Sequence, residues 1–152
     1  MYHMNINYFM NEAIKEAKIA LNNNEVPIGA ILVQNKTNEI IARSFNKINQ
    51  MKSAIHHCEL DLIINSCNKL SKKYLDNTVM FVTLEPCIMC ASAISEVHIK
   101  KLYFGAYDEK NGGIEKNQLV LKRKNIFRTE IYGGIMEDKC KDLLINFFKK
   151  LR

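Results

Sequence analysis

The stretch Val79-Met80-Phe81-Val82-Thr83-Leu84-Glu85-Pro86-Cys87-Ile88-Met89-Cys90 decides how this chain folds. Val79 to Thr83 is a β-branched and aromatic run suited to a buried strand. Pro86 marks the turn, and because proline is tolerated at or before a first helical turn, a helix is expected from Cys87 to about Glu96. Working outward, Lys101 to Gly105 reads as the next strand and Ile131 to Gly133 as a short last one, with a glycine-containing loop from Tyr107 to Asn117 between them. Glu137 to Leu151 is an amphipathic helix. Towards the N-terminus, Leu60, Ile63, Ile64 and Cys67 mark a helix starting near His57. Ile28 to Val33 and Ile40 to Phe45 form two strands joined by Asn35-Lys36-Thr37-Asn38, and Phe9, Met10, Ala13, Ile14, Ala17, Ala20 and Leu21 mark an opening helix capped by Asn5. Strands separated by helices of this length predict an α/β layered domain with helices covering a central sheet. No linker divides the chain, so residues 1–152 are expected to form a single domain.

At 152 residues the chain can bury a core without a stapling metal or disulfide, so a metal here is expected to serve chemistry. Apolar residues make up 47% and charged residues 25%, and no apolar run approaches the ~20 residues of a membrane helix. The N-terminal residues lack the basic and apolar regions of a secretory signal, which predicts a cytoplasmic protein with reduced thiols and no membrane partner. Five cysteines, an odd number, suit metal or catalytic use better than a disulfide framework. The net charge of +6 favours a polyanionic partner such as RNA, although lysine-rich stretches such as Lys122-Arg123-Lys124 are commonly solvated faces.

The chemistry concentrates in two short motifs. His57 and Glu59 form H-x-E, and Pro86-Cys87-Ile88-Met89-Cys90 forms P-C-x-x-C. Helical spacing puts positions 87 and 90 on one face, so both sulfurs can reach one ion, and a helix N-terminus favours the thiolate form. Residues 57 and 59 project about 200° apart on a regular helix, so both reach one site only at the helix end. His57, Cys87 and Cys90 would give a tetrahedral zinc three protein ligands and leave a position for water, with Glu59 as the neighbouring base. Three other readings compete. A lone C-x-x-C at a helix start is also a dithiol redox layout, a structural zinc would need a fourth ligand from His56, Cys58 or Cys67, and Glu59 could be a plain first-turn acid.

At these residues the chain resembles the zinc-dependent nucleobase deaminases of the cytidine and deoxycytidylate deaminase superfamily, which carry the same paired motifs. Over nearly its whole length it is similar to the bacterial tRNA adenosine deaminases, the TadA family. The matching text is Glu25-Val26-Pro27-Ile28-Gly29-Ala30, Asn46, Val82 to Cys87, Phe104-Gly105-Ala106 with Asp108, and Phe147-Phe148. The resemblance implies a cytidine-deaminase-like fold, a three-layer α/β/α sandwich around a mixed five-stranded sheet. It also implies a homodimer, one Zn2+ per subunit, and hydrolysis of adenosine to inosine at the wobble position of a tRNA anticodon stem-loop. Glu59 would shuttle protons while water activated at the zinc attacks purine C6. Asn46 would contact the flipped base or its ribose, backbone groups near Cys58, Leu84 and Glu85 would hold the base edge, and Asp108 would shape the pocket around neighbouring nucleotides. Phe147 and Phe148, with Lys149, Lys150 and Arg152, would meet the anticodon arm, whereas helical spacing alone makes Leu143, Leu144, Phe147, Phe148 and Leu151 a core-facing stripe.

The chain also departs from the family pattern. Ser53-Ala54-Ile55-His56 stands where the family usually has a proline and threonine followed by alanine, and Cys58 replaces the usual alanine between His and Glu. Asn111 to Asn117 lacks the glycine-serine continuation of many members. Two alternatives follow: a deaminase of free guanine, cytosine or a nucleoside, or a non-catalytic RNA-binding partner that keeps a structural zinc.

Overall fold

Alternation along one central strand sets the architecture. In a computed structural model of the chain, which describes residues 3–115, 117, 118, 120 and 122–152, strand β3 (Thr78–Leu84) is buried from Thr78 to Thr83. Met80 and Val82 belong to one core and Val79 and Phe81 to another, as period-two geometry requires of a strand covered on both faces. Lys116, within the glycine-containing loop, lies outside the described residues, as do Met1, Tyr2, Leu119 and Leu121.

The elements follow in the order α1 (Ile6–Asn22), β1 (Gly29–Gln34), β2 (Ile40–Phe45), α2 (Cys58–Leu70), β3, α3 (Ile88–Glu96), β4 (Lys101–Ala106), β5 (Glu130–Tyr132) and α4 (Glu137–Lys150). The five strands form one sheet in the order β2-β1-β3-β4-β5. β1 runs antiparallel to both β2 and β3, while β3, β4 and β5 run parallel. Leu62 and Ile63 of α2 and Ala91 and Ile94 of α3 pack on one face, against Ala30, Leu32, Met80, Val82, Leu102 and Phe104. Phe9, Met10, Ala13 and Ile14 of α1 and Cys140 of α4 cover the other, against Ile31, Val33, Val79 and Phe81. This is the expected three-layer α/β/α sandwich with a mixed five-stranded sheet.

Local chemistry explains most boundaries. Asn5 Oδ1 accepts a hydrogen bond from Tyr8 N at 3.0 Å, the capping bond its position predicted. The hairpin residue Asn38 takes a left-handed φ of 61°, which asparagine tolerates. The last strand sits one residue earlier than its apolar pattern suggested, because Glu130 N bonds Lys100 O and the chain turns at Gly134 with φ 78°. The stripe on α4 is only partly core. Leu143 and Leu144 pack against the sheet, but Phe148 is 47% and Leu151 69% exposed, and Cys140 is the fully buried position of the helix.

Helix α1 comes close to the sheet at Gly29, the first residue of β1. A Cβ there would lie 2.3 Å from both Ala13 O and Ala17 N, backbone atoms of α1 that cannot swing aside. Gly29→Ala is therefore expected to push α1 off the sheet and lower unfolding stability by about 1–3 kcal/mol, measured by urea denaturation. A variant as stable as the parent would show that α1 accommodates the methyl group without cost.

Candidate functional site

The sheet delivers two helix N-termini to one place. β3 ends at Leu84, and Glu85-Pro86 carry the chain into Cys87, the extended N-cap of α3 with φ −68° and ψ 173°. Cys90 follows in the first turn of that helix, and Ala91 N closes the turn onto Cys87 O at 2.8 Å. His57 is the matching N-cap of α2, with φ −70° and ψ 148°. Neither cap residue spends its side chain on capping, which leaves the imidazole and the thiol available to the site. The cap position also removes the angular difficulty between residues 57 and 59, because His57 lies just outside the helix that carries Glu59.

His57 Nδ1 lies 3.7 Å from Cys87 Sγ and 3.6 Å from Cys90 Sγ. All three ligand atoms fall within 4.8 Å of one another, and they form the one such cluster of His, Cys, Asp or Glu among the described residues. A tetrahedral zinc with ordinary Zn–S and Zn–N bond lengths separates nitrogen from sulfur by about 3.6 Å, so this donor set fits the ion. Among the described residues no fourth donor joins the cluster. His56 Nε2 is 3.1 Å from Asp61 Oδ1, Cys58 donates to Glu59, and Cys67 is not part of the group. The layout thus departs from a four-ligand structural site, and the imidazole beside both sulfurs departs from a simple dithiol.

The electrostatics set the two sulfurs apart. The hydrogen bond from Cys90, supported by His57, brings the Cys87 thiol down to about 4 against the opposing effect of burial. Cys90 moves the other way, because it keeps the proton it donates to Cys87 and is itself buried. The hydrogen bond to Cys87 raises His57, with burial opposing it and Glu59 adding to it. Burial raises Glu59 above the ordinary carboxylate range, which favours its accepting a proton. Cys58 Sγ reaches Glu59 Oε2 at 3.5 Å, and burial holds its own thiol protonated.

A cavity of about 330 Å³ opens in front of these groups, at the carboxyl ends of β3 and β4, the usual ligand position in an open α/β sheet. His57, Cys87 and Glu59 line it together with the predicted residues Asn46, Cys58, Leu84, Glu85 and Asp108. Asn46 is only 3% exposed, held by its backbone N–H to Ile28 O at 3.0 Å. Asp108 Oδ1 accepts from Lys110 N at 3.1 Å and Asn111 N at 3.0 Å, so part of this carboxylate shapes its own loop. A larger hollow of about 800 Å³ shares Val26, Leu84, Asp108 and Asn111 with the cavity and reaches Phe148, Lys149 and Arg152 on and after α4. Phe147 does not line either space; it is half-buried and meets Phe148 edge-on at 5.3 Å. Sequence reasoning missed Ile48 and Asn111, which carry no signal outside the fold, and it gave no site role to Val26 and Ile28, which lie inside a motif it quoted.

Comparison with known proteins agrees with this geometry. The MafB19-like deaminase family matches residues 4–152. The chain is 42% identical over 144 residues to the tRNA-specific adenosine deaminase of Rickettsia bellii, covering 94% of this chain and 99% of that one. It is also 42% identical over 146 residues to that of Bacillus subtilis, covering 95% and 89%. A solved structure from work on A-to-I editing by tRNA:A34 deaminases at the wobble position superposes with a TM-score of 0.85 at 36% identity, over 90% of this chain and 99% of the other. Guanine deaminase from Nitrosomonas europaea shares the fold, with a TM-score of 0.81 at 17% identity, over 93% and 83%. With a match across nearly all its length, and with His57, Cys87 and Cys90 gathered within 4.8 Å of one another, the chain belongs to the bacterial tRNA-specific adenosine deaminases, within the MafB19-like deaminase family.

Proposed function

We propose that residues 1–152 form a single hydrolase domain that converts adenosine to inosine at the wobble position of a tRNA anticodon, with one zinc ion held by His57, Cys87 and Cys90. The observation that carries this reading is the buried Glu59 carboxylate beside that donor set, on the wall of a cavity of about 330 Å³. Bound there, zinc would supply Lewis-acid activation of water. Glu59 takes the proton that this water gives up, passes it to the purine ring, and assists ammonia as it leaves C6, so that adenosine and water yield inosine and ammonia. Burial, which raises Glu59, suits it to hold a proton between these two transfers.

The remaining wall holds the base. The Asn46 side chain contacts the flipped base or its ribose, and backbone groups at Cys58, Leu84 and Glu85 meet the base edge. Asp108 borders both spaces and is placed for the neighbouring nucleotides, while Phe148, Lys149 and Arg152 offer an aromatic face and cations to the anticodon arm. Phe147 supports Phe148 from behind in this reading. The basic α4 end beside the cavity favours an RNA loop over a free base or nucleoside. A homodimer belongs to the same proposal, and exposed Met51, Ile55 and Ile64, on and just before α2, offer apolar surface for it. A cytoplasmic setting would keep Cys87 and Cys90 reduced.

Inosine formation in an anticodon stem-loop with adenosine at the wobble position tests the assignment. The zinc-loaded parent is expected to form inosine and Glu59→Ala to lose about 10²–10⁴-fold in rate while still binding zinc. A parent that binds zinc and RNA yet forms no inosine would point to another substrate or a non-catalytic partner. Cys90→Ser is expected to lower bound zinc measured by elemental analysis, and stripping the parent with a chelator should abolish activity that added zinc restores. Activity that survives complete removal of the metal would exclude the proposed role of the donor set.

A further inference from the structure

The resemblance gives backbone groups at Glu85 a place on the base edge, and its side chain is engaged elsewhere. It is 3% exposed. Its Oε1 accepts from Asp108 N at 3.2 Å, and its Oε2 accepts from Ile114 N at 3.1 Å and Glu115 N at 3.0 Å. One carboxylate therefore gathers both ends of the segment 108–115. Further bonds fasten the same segment to the strand end: Gly113 N donates to Pro86 O at 2.8 Å, and Gly112 pairs with Cys87 in an isolated bridge. The fit is close, since a Cβ on Gly112 would lie 2.3 Å from Glu85 Oε2 and 2.6 Å from Asp108 O.

We propose that Glu85 is a positioning residue that fixes the loop 108–115 against the Cys87 strand end, and so sets where Asp108 and Asn111 stand on the cavity rim. This role rests on the adenosine deaminase reading for its effect on substrate, but the clamp itself stands on the three hydrogen bonds. The glutamate suits the task because both of its oxygens accept. A glutamine would turn an NH2 group towards one set of backbone N–H donors and leave them without an acceptor, a loss that falls on the loop. The rim, not the metal donors, is what such a change displaces.

The test compares Glu85→Gln and Gly112→Ala with the parent as full-length, zinc-loaded proteins. Gly112→Ala disturbs the same contact from the loop side and carries the test if Glu85→Gln does not fold. Amide hydrogen exchange at residues 108–115 is expected to quicken about tenfold or more in both variants, with zinc content unchanged. On the anticodon stem-loop, KM should rise about tenfold while kcat falls by no more than about threefold. Unchanged exchange across 108–115 would overturn the clamp without reference to any substrate. Faster exchange with an unaltered KM would overturn the assigned effect on the rim, and loss of zinc with unaltered KM would show that Glu85 acts through Cys87 instead. If the parent forms no inosine, the proposed function fails while the exchange result still decides the clamp.

Discussion

Everything at the site depends on two helices beginning at the same point. An N-cap residue has extended backbone, so its side chain is free of the helical rows and can face across the helix end. His57 and Cys87 both occupy such positions, and it is from these two helix starts that their side chains bring Nδ1 and Sγ to 3.7 Å. The first-turn N–H groups of α2 and α3 add partial positive charge where anionic sulfur and carboxylate collect. The sheet makes the coincidence possible: β3 carries the chain into α3, while β1 and β2 lead into the loop that ends at His57.

That constraint explains why the donors are few and selective. Two neighbouring groups capable of coordination, His56 and Cys58, each have a hydrogen-bond partner outside the cluster. His56 pairs with Asp61, whose other oxygen accepts from Ser44 at 2.6 Å and Lys47 at 2.9 Å. Cys58 lies inward of the helix start, is 1% exposed, and reaches Glu59 rather than the sulfurs. His56 and Cys58, which flank the metal motif, are thus accommodated by local hydrogen bonding, and among the described residues neither adds a fourth donor.

Much of this was legible in the sequence, for reasons that differ by element. Strand β3 could be read because a strand buried on both faces is a continuous apolar run, and α1 because its apolar residues recur at helical spacing above a capping asparagine. The three metal donors could be read because their spacing and residue types are jointly restrictive. Ile48 and Asn111 could not, since they reach the cavity only through the paths of loops whose shape is fixed by distant carboxylates. Glu25 is such a group, accepting from Asn49 N at 3.2 Å and Gln50 N at 2.7 Å across a gap in sequence that no periodicity spans. The C-terminal stripe was misjudged in part because amphipathic spacing shows which face is apolar and does not show how far along its length the helix stays against the sheet.

That last helix has a mechanical character of its own. α4 begins after Met136 with Glu137 and Asp138 in its first turn and ends with Lys149 and Lys150 in its last, a charge order that suits the helix dipole and steadies the helix from within. Its grip on the sheet is strongest near Cys140, whose sulfur fills the space above Gly105, and weakens towards Phe148 and Leu151. The helix is embedded at one end and exposed at the other. Its tip walls the larger hollow while holding little buried surface of its own, so the outer wall of the site is built on the least embedded part of the helix.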